Sequence, residues 1–240
     1  MRENFQRIED GVSVNIEIDM SAYAFSTKFL WLFSVFVKFD GLENKSDAYE
    51  EFLETKESLI IALEHEEKAK YVGMRIVDGW SEFYFYTQNS KGLDNLVLGI
   101  LKSSDYIYET SVVKDNKWDF HHKNLKPTEL ELAHIQSDKI IFLLQEEDDD
   151  LSVVRPVEHY VSFLTPTQKN RFLNTFDIEG VSFKDEIDND EFEYGVALVK
   201  KQALTSDEVK KSVDDIFEAV KKNEGFYEGW STVLASELEE

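Results

Sequence analysis

The amino-acid sequence predicts an α+β protein made of two tandem ferredoxin-like sandwiches, each an antiparallel sheet with helices on one face. Three observations predict this class. Several short segments alternate apolar with polar residues, as half-buried strands do. Other segments carry apolar residues at helical spacing behind capping residues. The order strand, helix, hairpin, helix, strand occurs in each half of the chain, and this order is typical of the ferredoxin-like sandwich.

The first module is predicted over residues 1–150 and is larger than a minimal sandwich. Val12–Ile18 alternates and adds a strand before the apolar strand Phe29–Phe39. Asp78-Gly79 is a residue pair that type I′ hairpin turns favour. The other predicted elements are a helix opened by Ser46 and Asp47, a hairpin of Lys70–Val77 with Trp80–Thr87, a helix over Gly92–Lys102, a hairpin of Tyr106–Val113 with Lys117–His121, and a connecting helix from Pro127 to about Gln145.

The second module is predicted over residues 151–240. It follows the acidic run Glu146–Asp150, whose five like charges repel one another and favour a solvated linker. The predicted elements are a strand over Val157–Phe163, a helix opened by Thr165-Pro166, a hairpin of Val181–Ile187 with Phe192–Val199 around Asp188–Asp190, a helix capped by Thr205, and a last strand over Phe226–Leu234. A fragment starting near Leu151 is therefore expected to fold by itself.

The composition fits packed domains and excludes several classes of function. The chain has 240 residues, of which 42% are hydrophobic, which is enough for a sizeable core. Its 49 Asp and Glu residues outnumber 26 Lys and Arg residues, and the formal net charge is −23. The sequence shows no basic cluster that would bind phosphates, so we expect no direct nucleic-acid binding. The absence of cysteine excludes disulfides, thiolate metal sites and cysteine nucleophiles.

No segment predicts a targeting signal or contact with a membrane. The strongest apolar run, Phe29–Val37, is far shorter than the about 20 residues of a membrane helix. The residues before it lack the apolar stretch of a signal peptide. We therefore expect a cytoplasmic protein.

The sequence contains no recognisable catalytic, metal or cofactor motif. Phosphate-binding glycine loops and the nucleophile elbow are missing, and no cofactor is predicted. His159 shares a strand face with Val157 and Val161, which predicts a partly buried core histidine that needs a hydrogen-bond partner. The other histidines, expected to be structural or solvent-facing because they lack ligand spacing, are His65, His121, His122 and His134.

The aromatic strand Trp80–Tyr86 is expected to divide its side chains between two environments. Successive side chains of a strand point to opposite faces of the sheet. One set should therefore join the core. The other set is expected to lie on a sheet face left open for a partner, because a ferredoxin-like sheet covers only one face with its own helices.

Short motifs in both modules resemble known families. Residues 151–234 resemble the B-type regulator of ribonuclease E activity family through Val157-Glu-His159-Tyr-Val-Ser-Phe163 and Tyr227-Glu-Gly-Trp230. The first module resembles an uncharacterised bacterial family, domain of unknown function six-nine-five. Its matching pieces are Val12-Ser-Val-Asn-Ile16, Trp31-Leu-Phe33, Tyr71-Val-Gly73, Asp78-Gly79, Glu82–Tyr86 and Trp118-Asp-Phe120.

The resemblance implies a non-catalytic role, because the regulator family binds and inhibits an RNA-degrading endonuclease. The first hypothesis is a cytoplasmic protein-binding regulator, an inhibitor of a ribonuclease, with a basic protein as its partner. A second hypothesis of the same class is an immunity-type inhibitor of a basic toxin nuclease. An enzyme or small-ligand-binding protein with a site between the modules is the hypothesis of a different class. A flat acidic surface would favour an inhibitor, and a deep pocket containing His159 would favour the enzyme.

The residues singled out fall into two groups. The candidate partner contacts are the acids Glu146, Glu147, Asp148, Asp149 and Asp150. The motif residues expected to be structural are Asp78, Gly79, His159, Tyr227, Gly229 and Trp230. The indole of Trp230 is expected to be buried, with Gly229 beside it allowing another group to approach closely.

Overall fold

Two antiparallel sheets organise the chain. The computed structural model describes residues 1–39, 46–102, 104, 106–188 and 194–239, which divide into two units, unit 1 (Met1–Lys126) and unit 2 (Pro127–Glu240). Each unit holds one sheet, and the predicted α+β class with two sandwich domains is confirmed. Among the helices of these residues, none is long and apolar enough to cross a membrane.

Unit 1 contains a ferredoxin-like sheet extended at one edge. Its elements are β1 (Arg2–Glu9), β2 (Val12–Asp19), a 3₁₀ turn (Ala22–Phe25), β3 (Trp31–Lys38), α1 (Asp47–Glu64), a 3₁₀ turn (His65–Glu67), β4 (Ala69–Val77), β5 (Trp80–Thr87), α2 (Leu93–Leu101), β6 (Tyr108–Lys114) and a π-helical turn (His121–Leu125). The strand order is β1-β2-β4-β5-β3-β6, and all neighbours are antiparallel. The strands β4-β5-β3-β6 form the ferredoxin-like part, and β1 and β2 extend it beyond β4.

The local signals of unit 1 act as the sequence predicts. Ser46 caps α1, and its hydroxyl accepts a hydrogen bond from the backbone N–H of Tyr49 at 3.2 Å. At the β4–β5 turn, Asp78 has φ 50° and Gly79 has φ 75°. Two consecutive positive φ angles define the type I′ turn, which matches the right-handed twist of the flanking strands. The predicted hairpin turn is confirmed.

Both faces of the unit 1 sheet are buried. Beneath α1 and α2, one face holds Phe83 and Phe85 of β5 in a core with Phe33, Val35, Phe52, Leu59 and Val97. On the opposite face Tyr84 and Tyr86 join a second core, with Val14, Ile16, Ile18, Phe29, Trp118 and Leu125. The expectation of an open aromatic face is therefore wrong, because the chain after β6 folds back over that face.

Two elements of unit 1 differ from the prediction. Lys117–His121 is not a strand, because Asp115 accepts the backbone N–H groups of Asp119 and Phe120 at 2.9 Å each and starts a helical turn. The strand β1 was not predicted, because its sequence RENFQRIE carries charged residues instead of a clear apolar alternation. It pairs along its full length with β2.

Unit 2 is a four-stranded ferredoxin-like sheet with an additional helix. Its elements are α3 (Glu129–Glu146), β7 (Arg155–Ser162), α4 (Pro166–Thr175), β8 (Val181–Ile187), β9 (Gly195–Gln202), α5 (Ser206–Lys222), β10 (Phe226–Thr232) and a 3₁₀ turn (Ala235–Glu239). The strand order is β10-β7-β9-β8, with antiparallel neighbours throughout. The start predicted for β9 at Phe192 and most of the predicted tip Asp188–Asp190 lie outside the described residues.

The helix predicted as a connector belongs to unit 2. Thr128 and Glu131 form a reciprocal capping box at the start of α3. Ala133 and Ile141 of α3 then pack into a core with Val157, Val213 and Trp230, and further members of that core are Leu204 and Val209. The units therefore divide at residues 126 and 127, earlier than the boundary predicted at residues 150 and 151.

Candidate functional site

His159 is a core residue of unit 2. It lies on β7 with no exposed surface, and its Nδ1 is 2.8 Å from the hydroxyl oxygen of Tyr227 on β10. Its Nε2 has no hydrogen-bond partner among the described residues. Burial lowers the pKa of His159 to about 4, and burial also raises the pKa of the Tyr227 phenol. The imidazole is therefore neutral at neutral pH and is closed to an external substrate.

Trp230 ties the additional helix to the sheet. Its side chain is buried, as expected, and the indole N–H donates to the hydroxyl of Ser137 on α3 at 2.9 Å. Gly229 has φ 125° at a shift of the β7–β10 register, but a side chain there would meet no atom within 4 Å. The expected close approach at Gly229 is therefore wrong, and the backbone conformation of the bulge explains the glycine.

The acidic run is an ordered turn and not a linker, because one of its carboxylates pairs inside unit 2. Asp149 forms a two-bond ion pair with Arg155 at 2.9 and 2.5 Å, and the Arg155 side chain is completely buried. The Arg155 hydrogen bonds lower the pKa of Asp149. Asp150 accepts hydrogen bonds from the backbone and hydroxyl of Ser152. Sequence reasoning missed this pair, although Arg155 follows the run closely.

Four acids of the run are exposed, and three of them, Glu146, Glu147 and Asp148, lie at the end of α3 near two apolar side chains. Phe142 is 57% exposed and Leu143 is 62% exposed. Residues four apart on a helix are neighbours, so Phe142 lies beside Glu146 and Leu143 beside Glu147. We call Phe142, Leu143, Glu146, Glu147 and Asp148 the helix-end surface; its three acids are exposed. It combines exposed carboxylates with exposed apolar side chains.

A groove lies between the ends of α4 and α5, and the sequence alone gave no sign of it. Its volume is about 600 Å³. Three of its lining residues are apolar and six are charged. The residues that line this α4–α5 groove are Arg171, Thr175, Phe176, Asp177, Ile178, Glu179, Asp215, Glu218, Ala219, Lys222 and Asn223. His159 is not among them, so the groove lacks the feature that would favour the enzyme hypothesis.

The Trp118 motif of unit 1 closes the second core. Trp118 is fully buried, stacks on Tyr86 with ring centres 3.9 Å apart, and donates its indole N–H to the carbonyl of Phe29 at 2.7 Å. The Tyr86 hydroxyl donates to Asp115 at 2.6 Å. These contacts hold the segment after β6 against the sheet, so the residues of this motif have a structural role.

The other histidines do not form a metal site. His121 is buried against Trp118 and Tyr23, and neither ring nitrogen has a partner among the described residues. Burial lowers its pKa to about 4. His134 lies 2.8 Å from Asp214 of α5. Within the part of the chain that the structure describes, no three ligand side chains are grouped for a metal.

Comparison with known protein families assigns each unit separately. Residues 134–232 match the family described as "Regulator of ribonuclease activity B". Residues 9–126 match the "Family of unknown function (DUF695)". Both resemblances are confirmed. The regulator match begins inside α3, which agrees with the assignment of that helix to unit 2.

Other comparisons add little about function. A search of curated proteins found no match. Among solved structures, the "Crystal Structure of an Unknown Protein from Galdieria sulphuraria" covers 86% of this chain and is itself covered completely. The identity is 8% and the TM-score is 0.23, so this likeness bears on neither fold nor function.

Proposed function

We propose that the protein is a non-catalytic regulator that binds a ribonuclease through unit 2. The observation that carries this proposal is the match of residues 134–232 to regulators of ribonuclease activity. The motif residues support it, because His159, Tyr227 and Trp230 are packed inside unit 2. Residues of this kind preserve a fold, and the partner is then recognised by the surface.

The partner is a basic protein. The chain carries a formal net charge of −23, which accelerates encounter with a positively charged partner and repels RNA. The helix-end surface adds Phe142 and Leu143 beside its carboxylates. Apolar side chains supply affinity that exposed charges alone do not. This surface therefore fits a basic segment that also presents apolar side chains.

The proposal is tested by binding to ribonucleases that carry basic segments. We expect binding to weaken as salt rises, because the screening length falls to about 8 Å at physiological ionic strength. Labelled RNA is the second ligand in the same salt series, and cleavage of that RNA by the ribonuclease is measured with and without the protein. Inhibition of cleavage with no binding to RNA is the expected result. Tight RNA binding by the protein alone would contradict the proposal.

Charge reversal tests the surface itself. The variant E146K/E147K/D148K should raise the Kd for the ribonuclease about tenfold, since attraction is replaced by repulsion. The matched control E54K/D94K/E109K makes the same change of net charge at exposed acids of unit 1. An equal loss of binding in both variants would show that total charge, and not the helix-end surface, is responsible.

A further inference from the structure

We infer that the α4–α5 groove binds a basic segment of the partner that inserts a Lys or Arg side chain together with an apolar one. This inference rests on the proposed function for the identity of the partner. The groove is a different surface from the helix-end surface, and the inference is argued from the shape and charge of the groove.

The apolar lining of the groove comes from residues that follow α4 and from α5. α4 ends at Thr175, and the residues directly after it line the same cavity as the last two turns of α5. Phe176, Ile178 and Ala219 are the apolar residues of the lining, which we call the apolar floor, and all three are only partly buried. Phe176 is held in place by Phe172, with ring centres 5.2 Å apart. These three side chains therefore offer an apolar contact to a ligand in the groove.

The walls of the groove are negatively charged. Four carboxylates, those of Asp177, Glu179, Asp215 and Glu218, line the groove with two cationic side chains. Asp215 is paired with Lys211 at 2.8 Å and Glu218 with Lys222, which leaves Asp177 and Glu179 without an ion pair among the described residues. Both cations already have acidic partners, since Lys222 lies 3.0 Å from Glu218 and Arg171 lies 2.9 Å from Glu224. Asp177 has no hydrogen bond or ion pair within the described residues.

The two helices reinforce the negative potential. The last turn of α4 and the last turn of α5 both line the groove, through Thr175 and Lys222. The C-terminal end of a helix carries a partial negative charge and favours a cation. The carboxylates and both helix ends therefore attract the same kind of ligand, and phosphate groups of RNA are repelled.

A peptide segment fits this site better than a metal ion does. Among the described residues, no three metal-ligating side chains are grouped here or elsewhere. An open groove of about 600 Å³ has room for a few side chains. The apolar floor would contact an aliphatic or aromatic side chain, while a neighbouring Lys or Arg reaches the carboxylates. The ligand is thus basic and apolar at once.

The groove and the helix-end surface lie at opposite ends of α5. His134 of α3 contacts Asp214, and Asp138 contacts Lys210, so α3 runs antiparallel to α5. The end of α3 therefore lies near the start of α5, about 20 Å from the groove at a rise of 1.5 Å per residue. Substitutions in one surface leave the other surface intact, so the two surfaces can be tested separately.

The test uses the full chain and two synthetic peptides, one alternating Lys with Leu and one alternating Glu with Leu. We expect the Lys/Leu peptide to bind and the Glu/Leu peptide not to bind. D177K/E179K should raise the Kd of the Lys/Leu peptide about tenfold, because it places like charges opposite the ligand. D177N/E179Q should have a smaller effect in the same direction. A219F fills the groove without changing charge and should also weaken binding.

The variant E54K/E109K, which makes the same change of net charge at exposed acids of unit 1, is the matched control, and thermal melting of every variant confirms that it is folded. Equal binding of the Lys/Leu peptide to the wild type, to D177K/E179K and to a folded A219F would overturn the groove inference. If the groove variants lose the peptide but no ribonuclease binds the wild type, the groove inference stands and the proposed function fails. If a ribonuclease binds the wild type and the groove variants bind both the ribonuclease and the peptide as the wild type does, the proposed function stands and the groove inference fails.

Discussion

The ferredoxin-like part of the unit 1 sheet and the unit 2 sheet share one strand order, but the faces of the two sheets are covered differently. In unit 1, α1 and α2 cover one face and the residues around Trp118 and Leu125 cover the other. In unit 2, α3, α4 and α5 contribute to cores on the face that carries Val157. The opposite face of unit 2 holds Tyr160, Glu158 and Ser231, which stay partly or fully exposed.

The difference shows that a common topology does not decide which surfaces are available. β2 and the chain after β6 give unit 1 a second core in addition to the one beneath α1 and α2. Unit 2 instead gains α3 on the face that its helices already cover. An aromatic side chain on the sheet face opposite the helices is therefore buried in unit 1 and accessible in unit 2.

The largest effect is expected from removing α3 from unit 2. A fragment over residues 127–240 should fold, whereas a fragment over residues 151–240 should lose the Ser137 contact and the apolar packing of α3. Trp230 is the only tryptophan in this part of the sequence, so its fluorescence measures the result directly. A red-shifted, denatured-like emission is expected from the shorter fragment alone. Native emission from both fragments would support the boundary predicted at residue 150.

The second core of unit 1 is expected to be essential to that unit. Trp118→Ala should lower the free energy of unfolding by about 3–5 kcal/mol, because it empties a fully buried site. Trp31→Ala, at a site that is 38% exposed, is the matched control and should cost about 1 kcal/mol or less. Urea unfolding measures both. Equal effects would mean that the second core is not a tightly packed one.

The ion pair of unit 2 is expected to have a somewhat smaller effect. Asp149→Ala leaves the buried guanidinium of Arg155 without its carboxylate and should cost about 3 kcal/mol. Glu147→Ala removes an exposed acid of the same run and should change stability by less than about 0.5 kcal/mol. Thermal melting distinguishes the two. Similar melting temperatures would mean that the acidic run is a solvated linker after all.

Each unit contains one buried histidine that should lose stability in mild acid. His121 and His159 have folded-state pKa values of about 4, below the about 6.5 of an unfolded histidine. The unfolded chain therefore binds protons first as the pH falls. Stability is complete above pH 6.5 and is lost between about pH 6.5 and 4, by up to about 1.4 kcal/mol per pH unit for each histidine.

Substitution separates the two histidines. His159→Gln should flatten the pH dependence of unfolding for unit 2 and leave that of unit 1 unchanged, and His121→Gln should do the opposite. Urea unfolding at several pH values between 4 and 7 provides the measurement. An unchanged slope in both variants would show that other groups cause the acid sensitivity.

The smallest effect is expected on the uncovered face of unit 2. Tyr160→Phe removes a hydrogen bond between the phenol and the hydroxyl of Ser231, 2.8 Å apart and exposed, and should cost about 0.5 kcal/mol. Tyr84→Phe, on the corresponding face of unit 1, removes the hydroxyl of a buried tyrosine that donates to the partly buried Glu82, and should cost about 1–2 kcal/mol. Equal costs would contradict the difference in coverage.

Much of the fold could be predicted from the sequence because its signals are local. The caps Ser46, Thr128 and Thr165 each bond to a backbone N–H three residues later. The turn at Asp78-Gly79 depends on only two φ angles. The alternation of apolar and polar residues predicted the strands that bury one face. It did not predict β1, because the charged residues of β1 obscure the pattern. Short-range geometry is encoded in neighbouring residues, so a single sequence displays it.

By itself, the sequence determined the α+β class, the order of most elements, the burial of Trp230 and the acidic character of the chain. Only the tertiary structure decided that α3 packs within unit 2, that Trp118 closes a second core, and that Asp149 binds Arg155. It also decided that the ends of α4 and α5 enclose a groove. These features join residues from separate elements, and no local pattern specifies which faces meet, because that choice depends on the packing of the whole unit.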